Sequence, residues 1–201
     1  MFIIGMTGGI GSGKSEALKI FKSLSIKVID LDNISKEITE RSHQAIQEIK
    51  LVFGDAIFDK DNQLDRKKLK EIIFSDKNKK INLEKILHPK IYEEVKKRLN
   101  ALSHESYVVI DIPLLFETNQ YTSLISRSLV IDCKENDQIE RVKKRDGIDI
   151  SVIQSIIDQQ INRSSRIEKA DDVIINDGSI EKLEESIKSL HKKYLNLVAV
   201  K

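Results

Sequence analysis

The sequence predicts an α/β fold built on a five-stranded parallel sheet, and two patterns support this prediction. Five short and nearly continuously apolar runs recur along the chain, at residues 2–6, 25–30, 107–111, 129–132 and 172–175. Such runs are typical of strands that are covered on both faces. Helical spacing of Ala17, Leu18 and Phe21 separates the first two runs, and a strand-helix-strand unit places its strands in parallel.

The remaining elements follow in order along the chain. Between the second and third runs lie about 70 residues with apolar side chains at three- and four-residue steps, too many for a plain connection. We therefore expect a helical lobe at residues 33–105, inserted in a single domain of residues 1–201. Residues 135–169 are highly charged with a thin helical apolar stripe, and residues 180–198 form a final amphipathic helix.

The composition excludes several classes of protein. Hydrophobic residues make up 40% of the 201 residues and charged residues 33%, as in globular proteins rather than disordered or membrane-embedded ones. A net charge of +2 and 5% aromatic residues predict no nucleic-acid or membrane partner. The lone Cys133 forms no intramolecular disulfide, and no signal peptide is recognisable, so we expect a cytoplasmic protein. We also expect a monomer or a weak homo-oligomer.

The strongest motif comes directly after the first strand. Residues 8–15 read Gly-Gly-Ile-Gly-Ser-Gly-Lys-Ser, which satisfies G-x-x-x-x-G-K-[ST] between a strand and a helix. Here the glycines let backbone N–H groups face phosphate oxygens, the lysine reaches the β- and γ-phosphates, and the last hydroxyl ligates Mg²⁺. We therefore predict a site for ATP with Mg²⁺, formed by residues of this loop and the following helix: Gly9, Gly11, Ser12, Gly13, Lys14, Ser15 and Glu16.

Two carboxylates follow the second strand, where open α/β sheets place their ligands. Strand alternation would put Asp30 and Asp32 on the same side. A kinase needs a carboxylate that accepts or orients the proton of the acceptor hydroxyl, and acidic groups that order Mg²⁺. We predict Asp32 in the first role and Asp30 as a metal ligand with Ser15, while a solvated turn remains the alternative. The absence of Asn-Lys-x-Asp argues against a GTPase.

Several further motifs occur in the order of one known family. They are Leu87-His-Pro89, Asp111-Ile-Pro-Leu-Leu-Phe-Glu117, Arg141 with Arg145, Gln160, and Ala170-Asp-Asp-Val-Ile with Asn176. Together with the glycine-rich loop and Val28-Ile-Asp-Leu-Asp32, they make nearly the whole chain resemble the dephospho-coenzyme A kinase family. The resemblance implies a P-loop NTPase three-layer fold. It also implies ATP-dependent phosphorylation of the ribose 3′-hydroxyl of dephospho-CoA, the last step of coenzyme A synthesis.

The resemblance assigns roles to the two helical segments. It implies that residues 33–105 bind the acceptor and that residues 135–169 form a lid over ATP. Arg141 and Arg145 lie one helical turn apart, and their planar cations suit a transferring phosphoryl group. On spacing alone, a solvated basic face explains them equally well. Their place in the family pattern favours a catalytic role, with weaker indications for Arg163 and Arg166.

Three more residues are predicted to lie at the acceptor. His88 precedes Pro89, which pushes its backbone towards extended geometry, so we expect a bend there that faces the acceptor. Pro113 ends the third strand, and Leu114 would cover an apolar surface near the acceptor. Asp111 is either a magnesium partner or a strand-end cap.

Two other functions remain open on the sequence. A kinase of a nucleoside monophosphate, or of another small hydroxyl acceptor, would share the loop, the sheet and the lid. A non-catalytic ATP-binding switch would share only the loop and the moving lid. Asp32 together with Arg141 and Arg145 argues against the switch, because a switch needs no carboxylate beside the γ-phosphate.

Overall fold

The computed structural model describes residues 1–60 and 63–200. The strands are β1 (Phe2–Gly8), β2 (Lys27–Asp30), β3 (Tyr107–Asp111), β4 (Arg127–Asp132) and β5 (Asp172–Ile175). The α-helices are α1 (Lys14–Ser23), α2 (Leu31–Arg41), α3 (His43–Phe53), α4 (Arg66–Ser75), α5 (Lys77–Ala101), α6 (Leu115–Thr118), α7 (Glu135–Asp146), α8 (Ile150–Asp158), α9 (Arg163–Glu168) and α10 (Ile180–Ala199). The chain divides into two compact units, residues 1–29 with 102–201, and residues 30–101.

The sheet confirms the predicted parallel architecture. Its strand order is β2-β3-β1-β4-β5, and β1 pairs in parallel with both β3 and β4. Every residue of β1 and β3 is buried, as expected for strands covered on both faces. The carboxyl ends of β1, β3 and β4 therefore meet at one edge of the sheet, and the glycine-rich loop, Asp111 and Asp132 lie there.

Helices cover both faces of this sheet and form three layers. On one face, alternate strand residues such as Ile4 and Ile131 pack with Phe21 of α1 and Tyr194 of α10 in one apolar core. In addition, α6 contacts β1, and α9 contacts β4. The lid segment is helical as predicted, because α7, α8 and α9 lie in it, with α7 packed against α8.

The second unit is helical and is organised around α5. One face of α5 buries apolar side chains at four-residue steps, namely Leu83, Leu87, Ile91, Val95 and Leu99, and α2, α3 and α4 contact this helix. The predicted extended backbone at His88 is wrong, because α5 continues through Pro89. A proline inside a helix costs about 3 kcal/mol, and burial of each large apolar side chain contributes about 1.5–3 kcal/mol, so the stripe outweighs the proline.

No helix within residues 1–60 and 63–200 is both long and apolar enough to cross a membrane.

Candidate active site

The loop between β1 and α1 has the backbone geometry of a phosphate cradle. Gly11 and Gly13 have φ angles of 71° and 94°, in the left-handed region that favours glycine. A Cβ atom on Gly13 would also collide with the side-chain amide of Asn176. Within the described part of the chain, several backbone N–H groups of this turn make no hydrogen bond to protein: those of Gly11, Gly13, Lys14 and Ser15. Successive free N–H groups at a helix start form an anion-binding concavity.

The carbonyl groups of the loop face the protein, and side chains from distant segments bind them. Asn176, which follows β5, donates from Nδ2 to the Ser12 carbonyl over 2.8 Å. Arg141 of α7 donates from Nη2 to the Asn176 carbonyl over 2.9 Å and from Nη1 to the Gly11 carbonyl over 3.5 Å. These bonds hold the carbonyl groups of Gly11 and Ser12 in place.

Lys14 of the loop forms an ion pair with Asp111, the last residue of β3. Asp111 lies opposite Met6 in the β1–β3 register, so the carboxylate stands beside the strand that leads into the loop. Both side chains are largely buried. The Asp111 carboxylate therefore holds the ε-ammonium of Lys14 at the edge of the sheet where the loop lies.

The two predicted lid arginines have different surroundings. Arg141 reaches the loop as described, whereas the guanidinium of Arg145 is exposed and binds the adjacent Asp146 carboxylate in a bidentate pair, over 2.7 and 2.6 Å. This hydrogen-bonded pair raises the pKa of Arg145. The structure thus places Arg141, and not Arg145, against the phosphate loop.

Comparison with known proteins identifies the family. A family model described as dephospho-CoA kinase matches residues 2–182. The chain belongs to the dephospho-CoA kinase family. A dephospho-CoA kinase from Thiobacillus denitrificans is 44% identical over 199 residues, and one from Nitrosospira multiformis is 39% identical over 197 residues. The alignments cover 99% and 98% of this chain and 98% of each relative.

A solved structure agrees with this assignment. The dephospho-CoA kinase from Campylobacter jejuni matches with a TM-score of 0.73 at 27% identity, covering 96% of this chain and 97% of that one. The predicted family and the P-loop kinase fold are therefore confirmed, and the chain is a kinase of coenzyme A biosynthesis.

The local structure around Asp30 and Asp32 differs from our expectation. β2 ends at Asp30 and α2 begins at Leu31, so Asp32 lies in the first turn of a helix. The prediction from strand alternation is wrong, because the chain turns into a helix between the two residues. The Asp30 carboxylate caps α2 by accepting the N–H of Asn33 over 2.9 Å, while Asp32 is exposed.

The remaining predicted residues occupy varied positions. Ser15 is exposed at the start of α1, and the Glu16 carboxylate binds Lys19 over 2.8 Å. The carbonyl of the half-buried Pro113 accepts a hydrogen bond from Thr7 Oγ1 over 3.1 Å, and Leu114 is 42% exposed. In the helical unit, His88 is half-buried on α5.

Sequence reasoning missed several polar contacts of the loop. The Gln160 side chain accepts the backbone N–H of Ile10 over 3.1 Å, which ties the end of the lid segment to the loop tip. At the end of β4, Arg163 donates to the buried Asp132 carboxylate from Nε and Nη2, both to Oδ2, over 2.9 and 2.6 Å. Gln160 and Asn176 belong to the family motifs, and those motifs are the sequence signal that indicates them.

Proposed function

We propose that this chain transfers the γ-phosphoryl group of ATP to the ribose 3′-hydroxyl of dephospho-CoA, giving coenzyme A and ADP. The bond from phosphorus to the β,γ-bridging oxygen breaks, the bond from phosphorus to O3′ forms, and the hydroxyl proton leaves. One observation carries this proposal in a member of the dephospho-CoA kinase family. The loop from Gly8 to Ser15 carries N–H groups that make no hydrogen bond within the described residues, together with a largely buried lysine that Asp111 holds.

In this proposal the loop binds the ATP phosphates through its free N–H groups, those of Gly11, Gly13, Lys14 and Ser15. Lys14 stabilises the negative charge that develops as the bond to the leaving group breaks. Arg141 adds a second cation from α7, and Arg145 reaches the phosphates only after it leaves Asp146. The backbone N–H of Glu16 already donates to the Gly13 carbonyl over 3.0 Å, so it would contact an α-phosphate only through a shared hydrogen bond.

Magnesium is proposed as the ion that accompanies ATP, where it neutralises phosphate charge. In residues 1–60 and 63–200, no group of three His, Cys, Asp or Glu side chains is arranged to hold a metal. This fits Mg²⁺, which usually takes one or two protein oxygens, with phosphates and water as its other ligands. The Ser15 hydroxyl and the Asp111 carboxylate are the proposed ligands. We prefer Asp111 to Asp30 because the Asp111 carboxylate pairs with Lys14 of the loop itself, whereas the Asp30 carboxylate caps α2.

For the acceptor, we propose that Asp32 accepts or orients the 3′-hydroxyl proton and that His88, Pro113 and Leu114 contact dephospho-CoA. Asp32→Asn keeps the size of the side chain but removes its basicity, so kcat should fall by about 10²–10⁴ with little change in ATP affinity. Asp30→Asn is the matched control and should lower kcat far less. A larger loss in Asp30→Asn than in Asp32→Asn would reverse the two roles.

Substrate choice tests the function itself. Initial rates with ATP should be far higher with dephospho-CoA than with AMP. Efficient phosphorylation of AMP with dephospho-CoA inert would instead show a nucleoside monophosphate kinase. A cytoplasmic location, a monomer or weak homo-oligomer, and no nucleic-acid or membrane partner stay predictions from the sequence.

A further inference from the structure

Arg166 on α9 is a buried cation that no carboxylate pairs with in the described residues. The residue is 5% exposed, and its guanidinium donates from Nη2 to the Ile161 carbonyl over 2.7 Å. Among residues 1–60 and 63–200, no Asp or Glu lies within ion-pair distance of it, whereas the neighbouring Arg163 is fully engaged by Asp132. Burial lowers the pKa of Arg166, and the charges of Glu117 and Asp132, which are not in contact with it, partly oppose this effect.

The position of this guanidinium is at the phosphate loop. A Cβ atom placed on Gly9 would lie 2.8 Å from Nη1 of Arg166 and would collide with the side-chain amide of Gln138. Gln138 is 4% exposed on α7, and within the described chain its side chain makes no hydrogen bond. Gly9 thus lets two buried donor groups, one of them charged, come against the loop side by side.

A buried cation whose nearest carboxylates, Glu117 and Asp132, lie beyond ion-pair distance is costly to the folded protein. Nη1 of Arg166 and the amide of Gln138 make no hydrogen bond within the described residues, and both lie against Gly9 of the phosphate cradle, so an anionic oxygen placed there would accept from both. The planar guanidinium is suited to binding phosphate oxygens in a fixed geometry.

We propose that Arg166, assisted by Gln138, binds an anionic oxygen of the ATP phosphate chain next to Gly9. The inference deepens the proposed function and rests on it, since ATP supplies the phosphate. It gives the lid segment a phosphate-binding arginine in addition to Arg141.

The experiment compares Arg166→Met with Arg127→Met, each measured without ligand and with the unreactive ATP analogue AMP-PNP plus Mg²⁺. Arg127 is the matched control because its guanidinium is paired with the buried Asp172 carboxylate. Arg166→Met should leave the Tm of the free protein unchanged or higher, and should raise the Kd of AMP-PNP about 10- to 100-fold. Arg127→Met should lower the Tm and leave the Kd unchanged.

A lower Tm with an unchanged Kd in Arg166→Met would overturn the inference, because Arg166 would then be a structural residue like Arg127. If the methionine variant does not fold, Arg166→Lys takes its place and should still weaken AMP-PNP binding, since lysine lacks the planar fork; a native Kd there would equally overturn it. Failure of the proposed function is separately visible. It would appear as no product from dephospho-CoA with the unaltered protein, while the binding comparison still reports on Arg166.

Discussion

The amide of Asn176 offers a direct perturbation of the phosphate loop. Its Nδ2 donates to the Ser12 carbonyl over 2.8 Å, and the two residues are only 9% and 1% exposed. Asn176→Ala removes the donor, and the Ser12 carbonyl is left without this partner in a place that water reaches poorly. Without this hydrogen bond, the loop holds its phosphate-binding N–H groups in position less firmly.

The size of the effect follows from this burial. An unsatisfied buried acceptor costs about 1–3 kcal/mol. For a domain of this length, each kcal/mol lowers the Tm by about 2–4 °C, so a loss of about 2 kcal/mol gives about 4–8 °C. We also expect weaker binding of AMP-PNP, because the free N–H groups of the loop are no longer held in position.

The assay measures the Tm and the Kd of AMP-PNP, with Ser42→Ala as a control for stability alone. The Ser42 hydroxyl caps α3 by accepting the Ala45 N–H over 3.2 Å, so its loss should cost about 1 kcal/mol without changing nucleotide affinity. Native stability and native affinity in Asn176→Ala would refute the reasoning. Equal losses of affinity in both variants would show that stability, not loop geometry, controls binding.

Three further predictions concern other parts of the molecule. Lys14→Ala should lower kcat by orders of magnitude in steady-state assays and leave the Asp111 carboxylate without its cation; near-native turnover would contradict the assigned role. Pro89→Ala should restore a helical hydrogen bond in α5 and raise unfolding stability by about 1–2 kcal/mol in denaturant titrations, where a loss of stability would argue against it. Burial alone would raise the pKa of Asp172, but hydrogen bonds from Arg127 and other neighbours hold this pKa below its usual 3.8. The carboxylate therefore stabilises the fold above that pH, and this stabilisation is lost as the pH falls. Asp172→Asn should therefore be less stable at pH 7, with a difference from the native protein that shrinks below about pH 3.8; a constant difference at all pH values would contradict this.

Local patterns predicted much of the fold. The apolar runs became strands because each is short, β-branched and covered on both faces. The loop from Gly8 to Ser15 was predictable because left-handed backbone and a helix start leave few choices of residue. Local rules failed at Pro89, where a buried stripe along α5 overrode the preference of the residue before proline. They failed again at Asp32, where a strand passed directly into a helix.

The parts of the site that sequence reasoning missed depend on contacts between distant segments. Asn176 and Ser12 are 164 residues apart, and nothing near either residue indicates the hydrogen bond between them. The same holds for Arg166, whose burial against Gly9 arises only when the lid segment packs on the loop. At Arg145 a local pattern is misleading instead. Its helical spacing from Arg141 indicates a shared role, but its guanidinium donates to the carboxylate of the adjacent Asp146.

The most direct test of the account is to identify the product. The protein is incubated with Mg²⁺, ATP and dephospho-CoA, and the Lys14→Ala variant is the control. The product is separated, its mass is measured by mass spectrometry, and ³¹P NMR locates the new phosphate. The account predicts coenzyme A with its new phosphate on the ribose 3′-oxygen, ADP in equal amount, and almost no product from the variant. ATP hydrolysed to ADP and free phosphate with dephospho-CoA unchanged would contradict it, as would equal product from the variant.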